Sequence, residues 1–241
     1  MSLLKIPFIL ISAIGIHISF TSTSPPPSSK EKMVPSLFES IVGWFLKLRG
    51  LELLKISAWA ASSAEVANIL ARHIDPSHIP ESINGARAVQ LLCVLHPTSI
   101  TPAFLVGSIA TAIGGALRFY SISTLGKLWN FHVSVKTEHR LVTSGPYSVV
   151  RHPSYTGLLL QTAGIAVMCG SQGSWMRQSG ILQVPFIKVF AVTFLVFTTI
   201  LHTWIPFNRP AAEDQMLQRA FGEEWENWAE KVRYQLIPGV Y

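Results

Sequence analysis

A chain of 241 residues with 49% hydrophobic and only 13% charged residues is too apolar for an ordinary soluble domain, in which about 25% of residues are charged, so a lipid bilayer is the expected solvent. The formal net charge of +6 does not indicate nucleic acid, because the cations are not gathered into a stripe with interleaved aromatic residues; an anionic leaflet is the better partner. Cys93 and Cys169 stand far apart without His or Cys at ligand spacing, which excludes a disulfide framework, offers no metal site, and leaves two packing thiols.

In chain order, Leu3 to Phe20 is an apolar run after a basic start at Lys5. Such a run is either a first transmembrane helix or a signal peptide, and its length favours a span. It ends in Ser, Thr and three prolines, and residues 21 to 33 form a Ser/Pro-rich connector that cannot bury anything. The first unit is therefore taken as residues 1–33, and a set of membrane helices over 34–119 follows. Val34 to Arg49 carries Leu37, Ile41, Phe45 and Leu48 at helical spacing, with Lys47 and Arg49 near its end, the pattern of an interfacial amphipathic helix. Leu51 to Ala71 is a weaker span, interrupted by Glu52, Lys55, Glu65 and Asn68. Arg72 to Pro97, with Asp75-Pro76, Ile79-Pro80 and Asn84-Gly85, reads as a loop with one short helix. Thr98 to Phe119 is a clear span in which Ala103, Gly107, Thr111 and Gly115 repeat every four residues. A stripe of small residues admits close approach of another helix, in this chain or in a homodimer; a cofactor groove is the less common use.

Arg118 to Arg151 is basic, with Lys127, Lys136 and Arg140, and belongs on the cytoplasmic side by the positive-inside rule. Thr156 to Trp175 and Ile181 to Phe207 make two more spans around a polar turn at Ser171 to Gly180, so Arg209 to Tyr241 returns to the same side. In that tail Leu217, Phe221, Trp225, Trp228 and Val232 line one helical face, with Gly222 as a break within it. The expected architecture is all-α: a multi-pass transmembrane protein of about five spans with a cytoplasmic amphipathic C-terminal segment, residues 120–241 forming a catalytic core.

Chemistry is concentrated in Leu141 to Gly157, Leu-Val-Thr-Ser-Gly-Pro-Tyr-Ser-Val-Val-Arg-His-Pro-Ser-Tyr-Thr-Gly. Ser144-Gly145-Pro146 signals a tight turn, and Pro153 bars His152 from helical geometry, so a cation, an imidazole and two tyrosines are offered where the next helix begins. Taken singly, Tyr147 and Tyr155 are equally well interfacial anchors, His152 a structural histidine, His132 and His139 solvated loop residues, His202 a hydrogen-bonding residue between helices, and Arg209 a side chain that snorkels to headgroups.

Two motifs taken together carry more. Leu141-Val142-Thr143-Ser144-Gly145-Pro146-Tyr147 with Arg151-His152-Pro153-Ser154-Tyr155 and Gly157, followed by Arg209, Glu213-Asp214, Leu217, Phe221-Gly222-Glu223-Glu224-Trp225, Trp228, Val232 and Ile237-Pro238-Gly239, resembles the isoprenylcysteine carboxyl methyltransferase family. The resemblance covers residues 120 to 241. It departs from the family at Trp129-Asn130, where members often have Trp-Ser, at Asp214, where they have Glu, at Trp225 and Trp228, where they have Tyr, and in a shorter loop from Val133 to Glu138. Sterol reductases share parts of both motifs.

The resemblance implies an endoplasmic reticulum enzyme that methylates the C-terminal prenylcysteine of processed CaaX proteins at the cytoplasmic face, with S-adenosylmethionine as donor. No Gly-x-Gly-x-x-Gly loop follows a strand, so the donor site has to be built from helix ends and the polar turn. By motif position, His139, Arg140, Leu141, Val142, Tyr147, His152, Pro153, Ser154, Tyr155 and Glu213 would hold the donor, and Arg209, four residues before Glu213, would hold the substrate carboxylate. A guanidinium fork suits that task, and a carboxylate of pKa about 3.5 needs no base. The competing readings are a phospholipid N-methyltransferase, in which His152 would act as base, an NADPH-dependent sterol or enone reductase, and a non-catalytic scaffold.

Overall fold

The computed structural model describes residues 3–21, 37–75, 85–96, 98–131 and 140–240, and among them regular structure is helical throughout. Helix α1 spans Lys5–Ser19, α2 Leu37–Lys47, α3 Gly50–Ala71, α4 Gly85–Val94, α5 Pro102–Leu125, α6 Pro153–Gly170, α7 Trp175–Gln178, α8 Pro185–Phe221 and α9 Glu223–Lys231.

Helix α5 is the centre. It starts where Thr101 caps the backbone N–H of Phe104 at 3.2 Å and Pro102 pre-sets the first turn. Helix α6 runs antiparallel to it at backbone contact. A Cβ placed on Gly107 would lie 2.6 Å from the Met168 nitrogen, one on Gly114 2.5 Å from the Gln161 nitrogen, and one on Gly164 2.5 Å from the Thr111 nitrogen. Helix α1 lies parallel to α5 on another face, where a Cβ on Gly115 would collide with the Gly15 carbonyl. The small-residue stripe is thus consumed inside the chain by α6 and α1. This corrects the homodimer expected through Ala103, Gly107, Thr111 and Gly115, because three of the four are buried and only Ala103 faces outward. Helix α3 packs on α1, α4 on α3, and α8 on α6.

Apolar side chains face out and small polar ones face in. On α8, Phe186, Val189, Phe190, Val196, Ile200 and Trp204 are exposed, whereas Ser108, Thr111, Ser121, Gln161 and Asn68 are fully buried. An exposed apolar surface of that extent suits lipid. Pro102–Leu128 and Pro185–Phe221 are long and apolar enough to cross a membrane, and Lys5–Ser19 is a shorter apolar helix. The other two expected spans are helical but do not meet that measure, α3 because Glu52, Lys55 and Glu65 interrupt it and α6 because Gln161 and its hydroxyl residues dilute a helix of 18 residues.

Two expectations change in detail and one holds. Lys5 is not a free basic start: it is 1% exposed, paired with Glu65, and donates to Thr98 Oγ1 at 2.7 Å and to the Gly173 carbonyl at 2.6 Å, tying α1 to the end of the bundle opposite the Arg-His-Pro turn. The last span does not stop before Arg209. Helix α8 continues through Pro206 and Pro210 to Phe221, so Arg209 is an interior helical residue. The break at Gly222 is present, with φ +52° between α8 and α9.

Gly114→Ala is expected to destabilise the protein by about 1–3 kcal/mol, the range for overpacking a tight core, while Gly170→Ala, whose added Cβ meets nothing within 4 Å, changes it little. Thermal unfolding in detergent, followed by tryptophan fluorescence, checks the pair; equal midpoints would remove backbone contact as the organising feature.

Candidate active site

The expected tight turn forms a 3-10 segment, Gly145–Ser148, with Gly145 at φ +61°. It delivers Tyr147 into the protein, where the ring joins Trp228 and Val232 in a buried cluster flanked by Leu125, Leu141, Val142 and Trp225. The Trp228 indole N–H donates to the Tyr147 carbonyl at 3.3 Å. The expected apolar face of the tail therefore covers this turn through Trp225, Trp228 and Val232. His152 takes a non-helical φ of −126° and ψ of 60° ahead of Pro153, which opens α6.

Helices α6 and α8 bring the second motif beside the first. His152 Nε2 lies 2.9 Å from Asp214 Oδ1 and its Nδ1 lies 3.4 Å from Glu213 Oε2. Arg151 Nε reaches Asp214 Oδ2 at 3.2 Å, and Gln235 Nε2 donates to the same oxygen at 2.9 Å. The Tyr155 hydroxyl donates to Glu213 Oε1. The returning tail is held by its backbone as well: the Arg151 and His152 N–H groups donate to the carbonyls of Tyr234 and Gln235 at 2.9 and 2.8 Å, and Thr156 Oγ1 donates to that of Leu236 at 2.6 Å.

Burial by itself would lower the His152 pKa, but hydrogen bonds and charges from Asp214 and Glu213 overcome it and raise the value from 6.5 to about 9. The imidazole is thus a cation at neutral pH with both nitrogens donating. Burial, joined by the charge of Glu213, holds the Tyr147 phenol above its ordinary value.

Two cavities meet here. The first is lined by Arg140, Leu141, Val142, Tyr147, His152, Ser154, Tyr155 and Glu213, with Leu125, Leu128, Leu217 and Trp228 among its apolar walls. Of the residues expected to hold a donor, Pro153 is buried behind this wall and does not line it, and His139 lies outside the described residues. Aromatic and aliphatic walls with one carboxylate suit a ligand that combines a flat heterocycle with a cationic end. The second cavity is apolar on most sides, with Phe20, Val42, Phe45, Leu46, Leu51, Leu158, Leu201 and Ile205, and it contains Arg209, Arg118 and His202. Trp129, Asn130 and Tyr155 line both. The Trp129 indole nitrogen in that shared wall is buried and has no hydrogen-bond partner among the described residues.

Arg209 and Glu213 therefore occupy different cavities, although they are four residues apart. The fork of Arg209 is engaged: Nε and Nη2 each donate to one oxygen of Glu39 at 2.6 Å, and Nη1 donates to the Phe131 carbonyl at 2.9 Å. His202 stacks on Phe20 with centroids 5.0 Å apart.

Sequence reasoning missed Arg118, Asp214 and Glu39. Arg118 is 4% exposed, donates to the Ser19 carbonyl at 3.0 Å and to Ser154 Oγ at 3.0 Å, and faces the rings of Phe20, Trp129 and Phe131 at 5.4 to 5.9 Å. A cation at the end of a clear span was the available signal, because ionisable residues at that depth commonly mark function. Asp214 stood in the second motif without a role assigned to it, and Glu39 gave no signal, since its partner is distant in the chain.

Residues 106–176 match the model of the Isoprenylcysteine carboxyl methyltransferase (ICMT) family. The matched segment holds most of α5, the 3-10 turn and α6, hence the helix pair and the first motif described above. A probable protein-S-isoprenylcysteine O-methyltransferase of Oryza sativa subsp. indica is 28% identical over 53% of this chain and 57% of its own length. Protein-S-isoprenylcysteine O-methyltransferase B of Arabidopsis thaliana is 28% identical over 50% of this chain and 52% of its own. The chain thus spans about half the length of these relatives. A Delta(14)-sterol reductase of Neurospora crassa is 23% identical over 46% of this chain but only 25% of itself.

The His152 pKa implies a pH dependence of stability. Because the folded value, about 9, lies above the free value of 6.5, the contribution is complete below about pH 6.5 and is lost as pH rises through 9. A shift of this size corresponds to on the order of 3 kcal/mol. Unfolding midpoints in detergent should fall across that window, and Asp214→Asn should flatten the profile; an unchanged slope in that variant would remove Asp214 as the residue that charges His152.

Proposed function

We propose that this protein uses S-adenosylmethionine to methylate the C-terminal prenylcysteine carboxylate of processed CaaX proteins at the cytoplasmic face of the endoplasmic reticulum membrane. The observation that carries this reading is the pair of adjoining cavities that share Trp129, Asn130 and Tyr155, one bringing Arg140, His152 and Glu213 to mostly apolar walls and the other holding Arg209 in a largely apolar space. A methyl transfer between a polar donor and a lipid-bearing acceptor calls for this division. The family model matched over residues 106–176 and the names of the similar proteins support the same reaction class. We further propose that α1, α3, α5, α6 and α8 all cross the bilayer, and that residues 120–241 form the catalytic core, to which Phe20, Val42, Phe45 and Arg118 add walls.

In the first cavity Leu141, Val142 and Tyr147 would hold the flat part of the donor, with Arg140 at the mouth, and Glu213 would accept hydrogen bonds from its ribose or ammonium. His139, Pro153 and Ser154 belong to the same proposed set, Pro153 by fixing the turn. When bound, the donor supplies an electrophilic methyl group on a sulfonium. Arg209 would orient the substrate carboxylate with paired hydrogen bonds, and the apolar walls would exclude water, which favours a step in which opposite charges cancel. Since that carboxylate has a free pKa of about 3.5, no side chain has to remove a proton. His152 bears against the phospholipid N-methyltransferase reading: held protonated by Asp214 and Glu213, it is not a base at neutral pH.

The test is purified protein in lipid given labelled S-adenosylmethionine and N-acetyl-farnesylcysteine, with a base-labile methyl ester as the expected product; no ester, or a label resistant to base, would refute the reading. The methyl-transfer step should be independent of pH from about 6 to 8, because the acid titrates far below that range, whereas a tenfold rise per unit would indicate an amine. Arg209→Lys keeps the charge but loses the fork, and is expected to cost roughly ten- to a hundredfold in kcat/KM with donor affinity nearly unchanged. Glu213→Ala should weaken donor binding first. Equal loss of donor binding in both variants would show that Arg209 does not serve the substrate.

A further inference from the structure

We infer that Glu39 is an internal competitor of the substrate carboxylate: it occupies the Arg209 fork between turnovers and has to be displaced for the acceptor to bind. This inference rests on the reading of the second cavity as the prenylcysteine site.

The pairing is of the kind an acceptor would need. Arg209 donates through Nε and Nη2 to the two oxygens of one carboxylate, each at 2.6 Å, and its Nη1 is committed to the Phe131 carbonyl. While Glu39 stays, it holds the Nε–Nη2 edge and neutralises the guanidinium, and with the Phe131 carbonyl it commits three of the five N–H groups. The competitor also comes from the cavity's own wall, since Val42, Phe45 and Leu46, on the same α2 helix, line the apolar space. A prenyl chain lying there would touch the helix that carries Glu39.

Charge decides between addition and exchange. The Arg209 side chain is 8% exposed and that of Glu39 is 21% exposed. An acceptor carboxylate added beside an intact pair would be a second buried anion on a guanidinium whose charge Glu39 already neutralises, which is costly; exchange keeps Arg209 paired and lets the more exposed Glu39 turn to water. Arg118, which lines the same cavity and donates to the neutral oxygens of Ser19 and Ser154, favours the arrival of an anion. After methylation the acceptor is a neutral ester that no longer holds the guanidinium as a carboxylate does. Glu39 then recovers Arg209, which lowers the affinity for product.

The test compares the full chain in lipid nanodiscs with Glu39→Gln, which keeps the shape and removes the charge, and with Glu39→Asp, which keeps the charge and shortens the reach. For each, KM and kcat are measured with N-acetyl-farnesylcysteine, inhibition with its methyl ester, and S-adenosylmethionine binding as a check of the fold. Competition predicts a KM roughly tenfold lower in Glu39→Gln and ester inhibition stronger by about the same factor, the scale of one charge-assisted hydrogen bond, with Glu39→Asp in between. The Asp variant decides the matter if Glu39→Gln fails to fold. An unchanged or higher KM with a lower kcat would overturn the inference and make Glu39 a support that positions Arg209. Absence of methyl ester from wild type and variants alike would overturn the methyltransferase reading itself, and this inference with it.

Discussion

The carboxylate of Asp214 joins three parts of the chain that are remote in sequence. It receives Arg151 and His152 from the turn before α6 and Gln235 from the returning tail, while its own helix, α8, carries Glu213 and Arg209. A carboxylate has room for several partners, and here His152 and Gln235 hydrogen-bond to it while Arg151 pairs with it by charge. The cation on His152 follows from this arrangement. Removing one charge from such a buried set leaves the others uncompensated, which is why a single-residue change there is expected to act on stability and on the site together.

The hub can form only because the helices beneath it approach closely. Helices α5 and α6 meet at Gly107, Gly114, Gly157 and Gly164, where any Cβ would fall within 3 Å of backbone atoms. That contact sets the height of the turn at Gly145–Ser148 relative to Arg118, whose guanidinium reaches across to Ser154 and to the end of α1 at Ser19. In a bilayer the hydrophobic effect gives helices little reason to associate, so steric fit and interhelical hydrogen bonds do that work. Buried Ser19, donating to Gln161 at 2.7 Å, is one such bond.

Arg209 shows how placement inside a helix changes what a residue can offer. Helix α8 does not end at the apolar boundary but runs through two prolines, so Arg209 lines the second cavity while Glu213, four residues on, lines the first. Tyr155 stands between them, lining both cavities and donating to Glu213. The two halves of the proposed reaction are thereby separated by one aromatic wall and connected through the same helix.

Local chemistry made much of this legible in the chain itself. The tight turn at Gly145 and Pro146, the non-helical His152 before Pro153, the break at Gly222 and the apolar face from Leu217 to Val232 all follow from backbone preferences or from helical periodicity, which act over a few residues. The resemblance of the two motifs, rather than local chemistry, pointed to eight of the residues that line the first cavity. Long-range pairing was decided only by the tertiary structure. Lys5 is a buried ion-paired residue rather than a free basic start, the glycine stripe serves α6 and α1 rather than a second copy, and the Arg209 fork is held by a carboxylate 170 positions away. Charge and small size are properties that a sequence displays, but the partner that satisfies a charge or fills a groove is fixed by which helices the bundle sets side by side.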